Sequence, residues 1–228
     1  MDDLFDVEYR CTQFLPLLRD DASRAIEGLE FYLKTLEGFI DTERREEVAV
    51  LKQEADALPK DAQVDFWAWH YPVHWDEIFA SQLRSSFVVT IISLAESNLG
   101  LVAQEAGQIA GAPLKAGDLR GGFLERHRRY LEALAGFTRP DPMTWEAIVG
   151  VRDIRNCIVH ANSRIRKSTA PDRLKALVGT LPGITSQYDV IELFAEFPVY
   201  ALSVVRKFIG LLYGEAAALC QRRKVWHR

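Results

Sequence analysis

A long apolar stripe near the N-terminus constrains the fold of this chain most strongly. Between Asp20 and Leu58, apolar residues recur in steps of three and four as far as Ile40, and the stripe resumes at Val48. This spacing places side chains on one side of an α-helix, so it predicts a single long helix that Pro59 ends. A narrow stripe of this kind packs against a partner helix, either within the chain or across a dimer.

The same periodicity predicts several further helices and almost no sheet. The predicted helices span Leu4–Leu15, Asp76–Ala106, Phe123–Leu134, Pro142–Ala161 and Pro198–Gln221, and Tyr188–Leu193 is a predicted short strand. Long helices joined by loops are typical of an all-α bundle. We therefore expect a helical bundle over residues 76–228, preceded by a long-helix extension over residues 1–60 that either stands apart or packs into the same domain.

An aromatic segment, Phe66–Trp75, separates the long helix from the predicted bundle. Pro72 prevents a regular helix interior, so the segment is interpreted as a connector that caps the core, with base stacking or subunit contact as alternatives. His70 and His74 are four residues apart and Glu77 follows, a spacing that is typical of zinc ligands on a helix. Because Pro72 interrupts that helix, no metal site is predicted.

The composition excludes two broad classes of protein. Hydrophobic residues make up 48% of the 228 residues and charged residues 26%, which is typical of a globular chain with a substantial core and not of a disordered one. The net charge of -4 excludes a generic polyanion binder, because such proteins carry excess positive charge. Positive charge is local, at residues 126–129, 164–167 and 222–224, where it most simply marks solvated surfaces, with a local basic groove as the alternative.

The cysteines and the N-terminal residues indicate the cellular compartment of the protein. Cys11, Cys157 and Cys220 are far apart in the sequence, so neither a disulfide framework nor a metal-binding pair is predicted. The acidic start of the chain lacks the basic and apolar regions of a signal peptide, and no apolar run approaches the length of a membrane span. We therefore expect a cytoplasmic protein with no membrane contact.

The predicted helix Pro142–Ala161 carries the residues that point to a function. Asp141 is placed to cap this helix and Pro142 to start it. Its apolar side is predicted to face the core and comprises Ile148, Val151, Ile154 and Ile158. The opposite side carries Arg152, Asp153, Asn156, His160 and Ser163. Arg155 lies about 100° around the helix from Asn156, close enough for its long side chain to reach the same groove.

Arginine, asparagine and histidine together suffice for one class of reaction. A guanidinium binds phosphate through two hydrogen bonds, an imidazole exchanges protons near neutral pH, and an amide orients an oxygen atom. RNA supplies its own nucleophile, the 2′-hydroxyl, so its cleavage needs positioning, charge stabilisation and proton transfer but no protein nucleophile. The set Arg155, Asn156 and His160, supported by Arg152, therefore predicts RNA cleavage without a cofactor or a metal ion.

The stretch Arg155-Asn156-Cys157-Ile158-Val159-His160 resembles the motif of the HEPN superfamily, whose ribonuclease members carry an arginine, often followed by an asparagine, and then a histidine. The resemblance implies a helical bundle that forms a homodimer, with two motif copies meeting in one cleft for RNA. It further implies a role as a toxin or in antiviral defence, with a protein antitoxin or regulator as a partner. The motif covers six residues, and the looser architectural similarity covers residues 76–221.

Three features qualify this resemblance. Asn162 stands where one toxin branch has a tyrosine, and the N-terminal 60 residues have no counterpart in a minimal bundle. The same Arg–His spacing also occurs at Arg120 with His127, across two glycines, and at Arg222 with His227 in the tail, and neither pair suits a helical groove. The alternative interpretation is a non-catalytic helical module for dimerisation or interaction, in which the motif only ties helices or subunits together.

Glu96 is predicted to support the site from the central helix, Asp76–Ala106. It interrupts an otherwise apolar stretch, and a buried polar group needs a partner. We therefore expect a contact from Glu96 to Arg155 or Arg152, with exposure of this part of the helix to solvent as the alternative.

Overall fold

The computed structural model of the chain describes residues 2–137 and 141–225. These residues form eight α-helices and one antiparallel hairpin, so the predicted all-α class is confirmed. The helices are α1 Asp2–Tyr9, α2 Leu15–Asp56, α3 Lys60–His70, α4 Ser81–Ala110, α5 Phe123–Ala133, α6 Pro142–Ala161, α7 Pro171–Val178 and α8 Glu196–Val225. The strands are β1 Ile184–Gln187 and β2 Val190–Leu193, and short π or 3-10 turns occupy Arg10–Phe14, Trp75–Ala80, Ala116–Asp118 and Ile165–Lys167.

The predicted N-terminal stripe forms α2. Its first half, including Ile26 and Leu33, is buried in the main core together with residues of the later helices. Further along α2, Ile40 joins Ala80 and Leu83 in a small separate cluster. The N-terminal region therefore contributes to the core of the bundle through one half of α2, and its other half packs against the start of α4.

The core is built on α4 and α8, which make the most extensive contact between helices in the described chain. Residues on several sides of α4 are buried, among them Ile91, Leu99 and Val102, and this burial explains why its sequence is apolar nearly all round. The motif helix α6 packs against both of these helices. The predicted packing of α4, α6 and α8 is thus confirmed, and it fixes one side of α6 against the core.

The short strand predicted at Tyr188–Leu193 is one half of a hairpin. β1 and β2 pair antiparallel, and Tyr188 and Asp189 form the turn between them with φ angles of 47° and 72°. Two positive φ angles are the conformation that tight two-residue hairpins require. Beyond the hairpin, Arg164 forms an isolated antiparallel bridge with Val190. The hairpin therefore braces the segment that follows α6, which forms one wall of the candidate site.

The interpretation of Phe66–Trp75 as a connector is wrong for the first half of that segment. α3 continues through it, and the break falls at Pro72, after which a π-helical turn leads into α4. Proline constrains only its own backbone and the residue before it, so it does not prevent a helix that ends earlier. Trp69 on α3 is 85% exposed, whereas Nε1 of Trp75 donates a hydrogen bond to Glu47 at 2.7 Å.

A disulfide links the N-terminal segment to α8, contrary to the prediction from the cysteine spacing. Cys11 and Cys220 are 209 residues apart in sequence, and their Cα atoms are 5.6 Å apart. Spacing did not indicate this pair because it carries no information on which helices lie side by side. Next to this disulfide, Arg10 forms an ion pair with the buried Glu105 of α4 at 2.5 Å. Both contacts hold the N-terminal segment against the bundle, and Cys157 is left as a free, buried thiol.

Two helical stretches, Lys60–Ala110 and Glu196–Arg223, are long and apolar enough to cross a membrane by length and composition. Within their most apolar windows, 50% and 56% of the residues are buried inside the protein. Core helices of soluble proteins pass the same test, so these two stretches are weak evidence for a membrane span. The expectation of no membrane contact stays a prediction.

Candidate functional site

The motif helix α6 has the bounds that the sequence predicts, because both of its ends are capped. Asp141 accepts a hydrogen bond from the backbone N–H of Met143 at 3.2 Å and from the hydroxyl of Thr144 at 2.8 Å. Pro142 occupies the first helical position, where its missing N–H is not needed. At the other end, Asn162 adopts a left-handed conformation with φ of 50°, which stops the helix directly after the motif.

The apolar side of α6 lies in the core, as predicted. Ile148, Val151 and Ile154 are almost completely buried, and Ile158 packs against the same core cluster. The motif therefore lies on a helix whose rotation is set by burial, and its polar residues must face away from α4 and α8.

A cleft of about 290 Å³ opens on the polar side of α6. We call it the motif cleft. From α6 it is lined by Asp153, Asn156 and His160, and from the following segment by Lys167, Ser168 and Thr169, with Leu174 of α7 closing one side. The imidazole of His160 is exposed, in the last turn of the helix. The structure thus brings together two of the three predicted catalytic residues around one solvent-accessible space.

Arg155 lies beside the motif cleft and not among the residues that line it. Its Nη1 donates a hydrogen bond to Oδ1 of Asn156 at 2.9 Å, so the two motif residues are in direct contact. Its Nε is buried and has no hydrogen-bond partner in the described part of the chain. No carboxylate of the described residues forms an ion pair with Arg155. The positive charge of this guanidinium is therefore not paired with a carboxylate of the described residues.

Arg152 is held differently from Arg155. Its Nη2 contacts Oδ1 of Asp153 at 3.1 Å, and Nε of Arg173 contacts the other oxygen of the same carboxylate at 2.8 Å. Asp153 therefore offsets part of the charge that Arg152 was predicted to contribute. The three residues together carry one net positive charge, and of the three only the carboxylate of Asp153 lines the motif cleft.

The predicted contact from Glu96 to the site is absent. Glu96 is half-buried on α4 and forms no hydrogen bond or ion pair with Arg155 or Arg152. The buried polar contact on this stretch of α4 belongs to Asn98, whose Oδ1 accepts a hydrogen bond from the hydroxyl of Tyr213 at 2.9 Å. Sequence position placed Glu96 on the right helix, but the two residues of separation turn it away from the buried side.

The segment after α6 was not predicted to be part of the site. The basic run at residues 164–167 was interpreted as solvated surface, with a local basic groove as the alternative, and its Lys167 is exposed and lines the motif cleft. Its position is fixed because the backbone N–H of Ile165 donates to the carbonyl of Asp189 at 2.9 Å, and Arg166 pairs with the carboxylate of Asp189 at 3.2 Å. The sequence offered one partial signal: this run directly follows the motif helix, so it has to start near the C-terminal end of α6.

Cys157 also lines the motif cleft, but it is not suited to act as a nucleophile. Burial raises the pKa of its thiol above the ordinary value, and the negative charge of Asp189 acts in the same direction. The thiolate is the reactive form of cysteine, and it is disfavoured here at neutral pH. Cys157 is a packing residue beneath the cleft.

The other candidate sites from the sequence are not assembled in the described residues. His127, the partner of Arg120 in the second Arg–His match, is buried in α5, and His227 of the third match lies outside the described residues. His74 contacts Glu47 at 3.3 Å, and His70 stacks on Phe66 with ring centroids 4.3 Å apart. Within residues 2–137 and 141–225, no three His, Cys, Asp or Glu side chains are grouped to hold a metal ion.

The fold and the cleft define a helical-bundle protein with a polar, partly basic cleft at the end of one core helix. Comparisons with family models, with curated proteins and with solved structures found no match for this chain. The HEPN resemblance therefore stays a prediction that rests on the six-residue motif and on the arrangement of helices around it.

Proposed function

We propose that the protein is a metal-independent RNA endonuclease of the HEPN type, with His160, Asn156 and Arg155 as its catalytic residues. One observation carries the proposal: His160 and Asn156 line a single open cleft, and the unneutralised guanidinium of Arg155 is hydrogen-bonded to Asn156 at its edge. Lys167, which lines the same cleft, adds a second positive charge. Phosphate binding beside an exposed imidazole is the arrangement that cleavage of an RNA backbone needs.

The proposed reaction uses the 2′-hydroxyl of the substrate as the nucleophile. The 2′-oxygen attacks the adjacent phosphorus and loses its proton, the bond from phosphorus to the 5′-oxygen breaks, and that oxygen takes up a proton. The products are a 2′,3′-cyclic phosphate and a 5′-hydroxyl. His160 handles one of the two protons, Arg155 binds the phosphate and its developing negative charge, and Asn156 orients a phosphate or ribose oxygen.

A second copy of the chain completes the proposed site. One motif supplies one imidazole, whereas removal of the first proton and delivery of the second are distinct tasks. A two-fold dimer that joins two motif clefts places a second His160 and Arg155 at the same phosphate. In this proposal the protein is a cytoplasmic homodimer that acts as a toxin or in defence, and a protein antitoxin or regulator controls it.

A non-catalytic module for dimerisation or interaction is the second candidate. The contact between Arg155 and Asn156 favours it, because a side chain that bonds its neighbour on the same helix also serves to order a helix surface. This function predicts no RNA cleavage by the wild-type protein. It also predicts that substitutions at Arg155 or Asn156 weaken the dimer or the fold.

The test measures the rate at which wild-type protein and His160→Ala cleave a mixed pool of RNA in the presence of EDTA. Loss of a general acid–base should slow cleavage by about 10²–10⁴-fold. His70→Ala is the matched control, because His70 is an exposed histidine on α3, which does not line the motif cleft. This control should cleave at the wild-type rate. Equal RNA degradation by wild type and His160→Ala would mean contamination and would remove His160 from the site.

A further inference from the structure

A second cavity, which the proposed function does not use, lies between the C-terminal half of α4, the loop after it and α5. Its volume is about 460 Å³, within the usual range for small-molecule sites. Small residues form part of its wall, including Ala103, Gly107 and Ala116.

Gly107 on α4 allows α5 to pack closely against α4 at this cavity. A side-chain carbon at position 107 would overlap the hydroxyl of Tyr130. The phenol of Tyr130 therefore lies directly against the backbone of α4, and Tyr130 is one of the residues that line the cavity. The absence of a side chain at Gly107 fixes where that hydroxyl lies.

Two nearly buried side chains present polar atoms to the cavity. His127 is 7% exposed and Tyr130 is 3% exposed, and both line the space. Nδ1 of His127 lies 2.7 Å from the carbonyl oxygen of Phe123, which can only accept, so Nδ1 carries the proton and Nε2 is a free acceptor in the neutral ring. Burial lowers the pKa of His127, which favours this neutral form. Neither Nε2 of His127 nor the hydroxyl of Tyr130 has a hydrogen-bond partner in the described residues.

These two polar atoms belong to one recognition surface. His127 and Tyr130 are three residues apart on α5, a spacing that places neighbouring side chains on the same face of a helix. One supplies an acceptor and the other a hydroxyl that can donate. A ligand that supplies a donor and an acceptor side by side would form a hydrogen bond with each of these two atoms. A cyclic amide has this pattern, because its N–H and its carbonyl lie next to each other on one edge of the ring.

Polar and positively charged side chains at the rim of the cavity can form further contacts with a bound ring. The carboxamides of Gln104 and Gln108 lie at the rim and are exposed. Lys115 is the charged side chain that lines the cavity, and no carboxylate lines it in the part of the chain that the structure describes. The rim therefore suits a ring that carries a second carbonyl group or an anionic substituent.

We propose that this cavity is a binding site for a small cyclic amide, such as a pyrimidinone, lactam or cyclic imide ring, bound through its amide edge to His127 and Tyr130. The ring N–H donates to Nε2 of His127, and the ring carbonyl accepts from the hydroxyl of Tyr130. The site is separate from the motif cleft and does not depend on the RNA-cleaving function.

The first test uses the wild-type protein and two probes, uracil and 1,3-dimethyluracil, in calorimetric titrations at millimolar concentration. Dimethylation removes both ring N–H groups and leaves the ring and its carbonyls in place. We expect uracil to bind and the dimethyl compound to bind at least about tenfold more weakly, since one hydrogen bond and one buried acceptor are lost. Absence of uracil binding, or equal binding of both compounds, would overturn the proposal.

The second test uses variants that are matched in chemistry. Tyr130→Phe removes only the hydroxyl in the cavity and should weaken uracil binding by about tenfold. Tyr213→Phe removes a buried hydroxyl that contacts Asn98 elsewhere in the fold, and it should leave uracil binding unchanged. Equal affinities for wild type and Tyr130→Phe would contradict the assignment.

A third titration, with uridine 5′-monophosphate, identifies the source of the ring. Tighter binding than uracil that is lost in Lys115→Met would assign the ligand to a nucleotide. Equal or weaker binding than uracil would assign it to a free ring compound. If neither uridine 5′-monophosphate nor uracil binds, the cavity does not recognise a cyclic amide.

Discussion

At the scale of single residues, neighbours decide which of two similar arginines suits phosphate binding. Arg152 and Arg155 are three residues apart on α6, and the Nε atoms of both are buried without a partner in the described chain. Arg152, however, contacts the carboxylate of Asp153, whereas Arg155 contacts only the neutral amide of Asn156. An incoming phosphate has to displace a carboxylate to reach Arg152 and meets no such competitor at Arg155. This difference supports the roles proposed for the two residues.

Arg155→Lys tests this difference. A lysine ammonium cannot contact Asn156 and hold a phosphate with two parallel hydrogen bonds, so RNA cleavage should fall by about 10²–10³-fold. Arg152→Lys is the matched control and should have a much smaller effect, because its partner is Asp153. Initial cleavage rates of both variants on one RNA substrate give the comparison. Similar losses in both variants would show that bulk positive charge, not Arg155, is what the site requires.

Residue spacing predicted this site in part. Asn156 and His160 are four apart on an uninterrupted helix, and that geometry is fixed once one side of the helix is buried. The contact expected for Glu96 was argued from burial and not from spacing, and it does not form, because its partner would have to come from another helix. Lys167 was not identified for the same reason: loop residues reach a cleft through tertiary contacts, here with the hairpin turn at Asp189.

At the scale of single elements, the caps of α6 place the motif at an open end of the helix. Asp141 accepts hydrogen bonds at the first turn and also contacts Nζ of Lys207 on α8 at 3.0 Å. Asn162 stops the helix two residues after His160, so the imidazole lies in the last turn and reaches solvent. A longer helix would continue past the cleft and cover it.

Asp141→Asn should reduce the loss of folding stability that occurs as the pH falls into the acidic range. The hydrogen bond from Thr144, followed by the contact with Lys207, lowers the pKa of Asp141 in the folded state. A carboxyl with a lowered folded pKa stabilises the fold above its unfolded pKa of about 4, and this contribution is lost as the pH falls through the folded pKa. Wild type should therefore melt at a higher temperature than Asp141→Asn at pH 7, and the gap should shrink in acid. A gap that is constant with pH would refute this role.

Helices were predicted correctly where the apolar repeat extends over many residues. They were missed where a single residue dominated the interpretation. The run Phe87–Ile92 is rich in β-branched and aromatic residues, yet it lies inside α4 because the helical pattern continues on both sides. At Phe66–Trp75, Pro72 was given too much weight, and the helix α3 before it was not predicted. In both places the helical pattern of the surrounding sequence determined the structure, and the local β-propensity or the single proline did not.

At the scale of the whole molecule, the disulfide between Cys11 and Cys220 links the N-terminal segment to the last helix. Disulfides are typical of oxidising compartments, so this bond weighs against the cytoplasmic location that the sequence predicts. A cross-link over such a long loop contributes about 2–4 kcal/mol of stability by constraining the unfolded chain. The bond thus ties the predicted N-terminal extension to the bundle in a way that sequence spacing does not reveal.

Counting thiols in the unfolded protein tests this bond. Protein purified without reductant should show one reactive thiol, that of Cys157, out of the three cysteines, and all three after reduction. Cys11→Ser should lower the free energy of unfolding by about 2–4 kcal/mol under oxidising conditions, measured by denaturant titration. The variant should equal the wild type once reductant is present. Three reactive thiols in the unreduced protein would contradict the bond.

The proposed dimer is a second property of the whole molecule. Val159, beside His160, is 46% exposed, so α6 carries an apolar side chain on the surface next to the motif. Met143, at the other end of the same helix, is 78% exposed. Light scattering at micromolar concentration should give twice the chain mass of 25.9 kDa. Val159→Glu should shift the protein toward monomer and reduce RNA cleavage without changing its helical circular dichroism. A strict monomer would remove the support for a shared cleft and leave the fold unaffected.

The most direct measurement of the proposed function is analysis of the products from one defined RNA in the presence of EDTA. Wild-type protein should yield a fragment with a 2′,3′-cyclic phosphate and a fragment with a 5′-hydroxyl. The same RNA with a 2′-O-methyl group at the cleaved nucleotide should stay intact at that position, because its nucleophile is blocked, and His160→Ala should leave both substrates intact. Cleavage of the 2′-O-methyl site, products with a 5′-phosphate, or full activity of His160→Ala would contradict RNA cleavage by the motif.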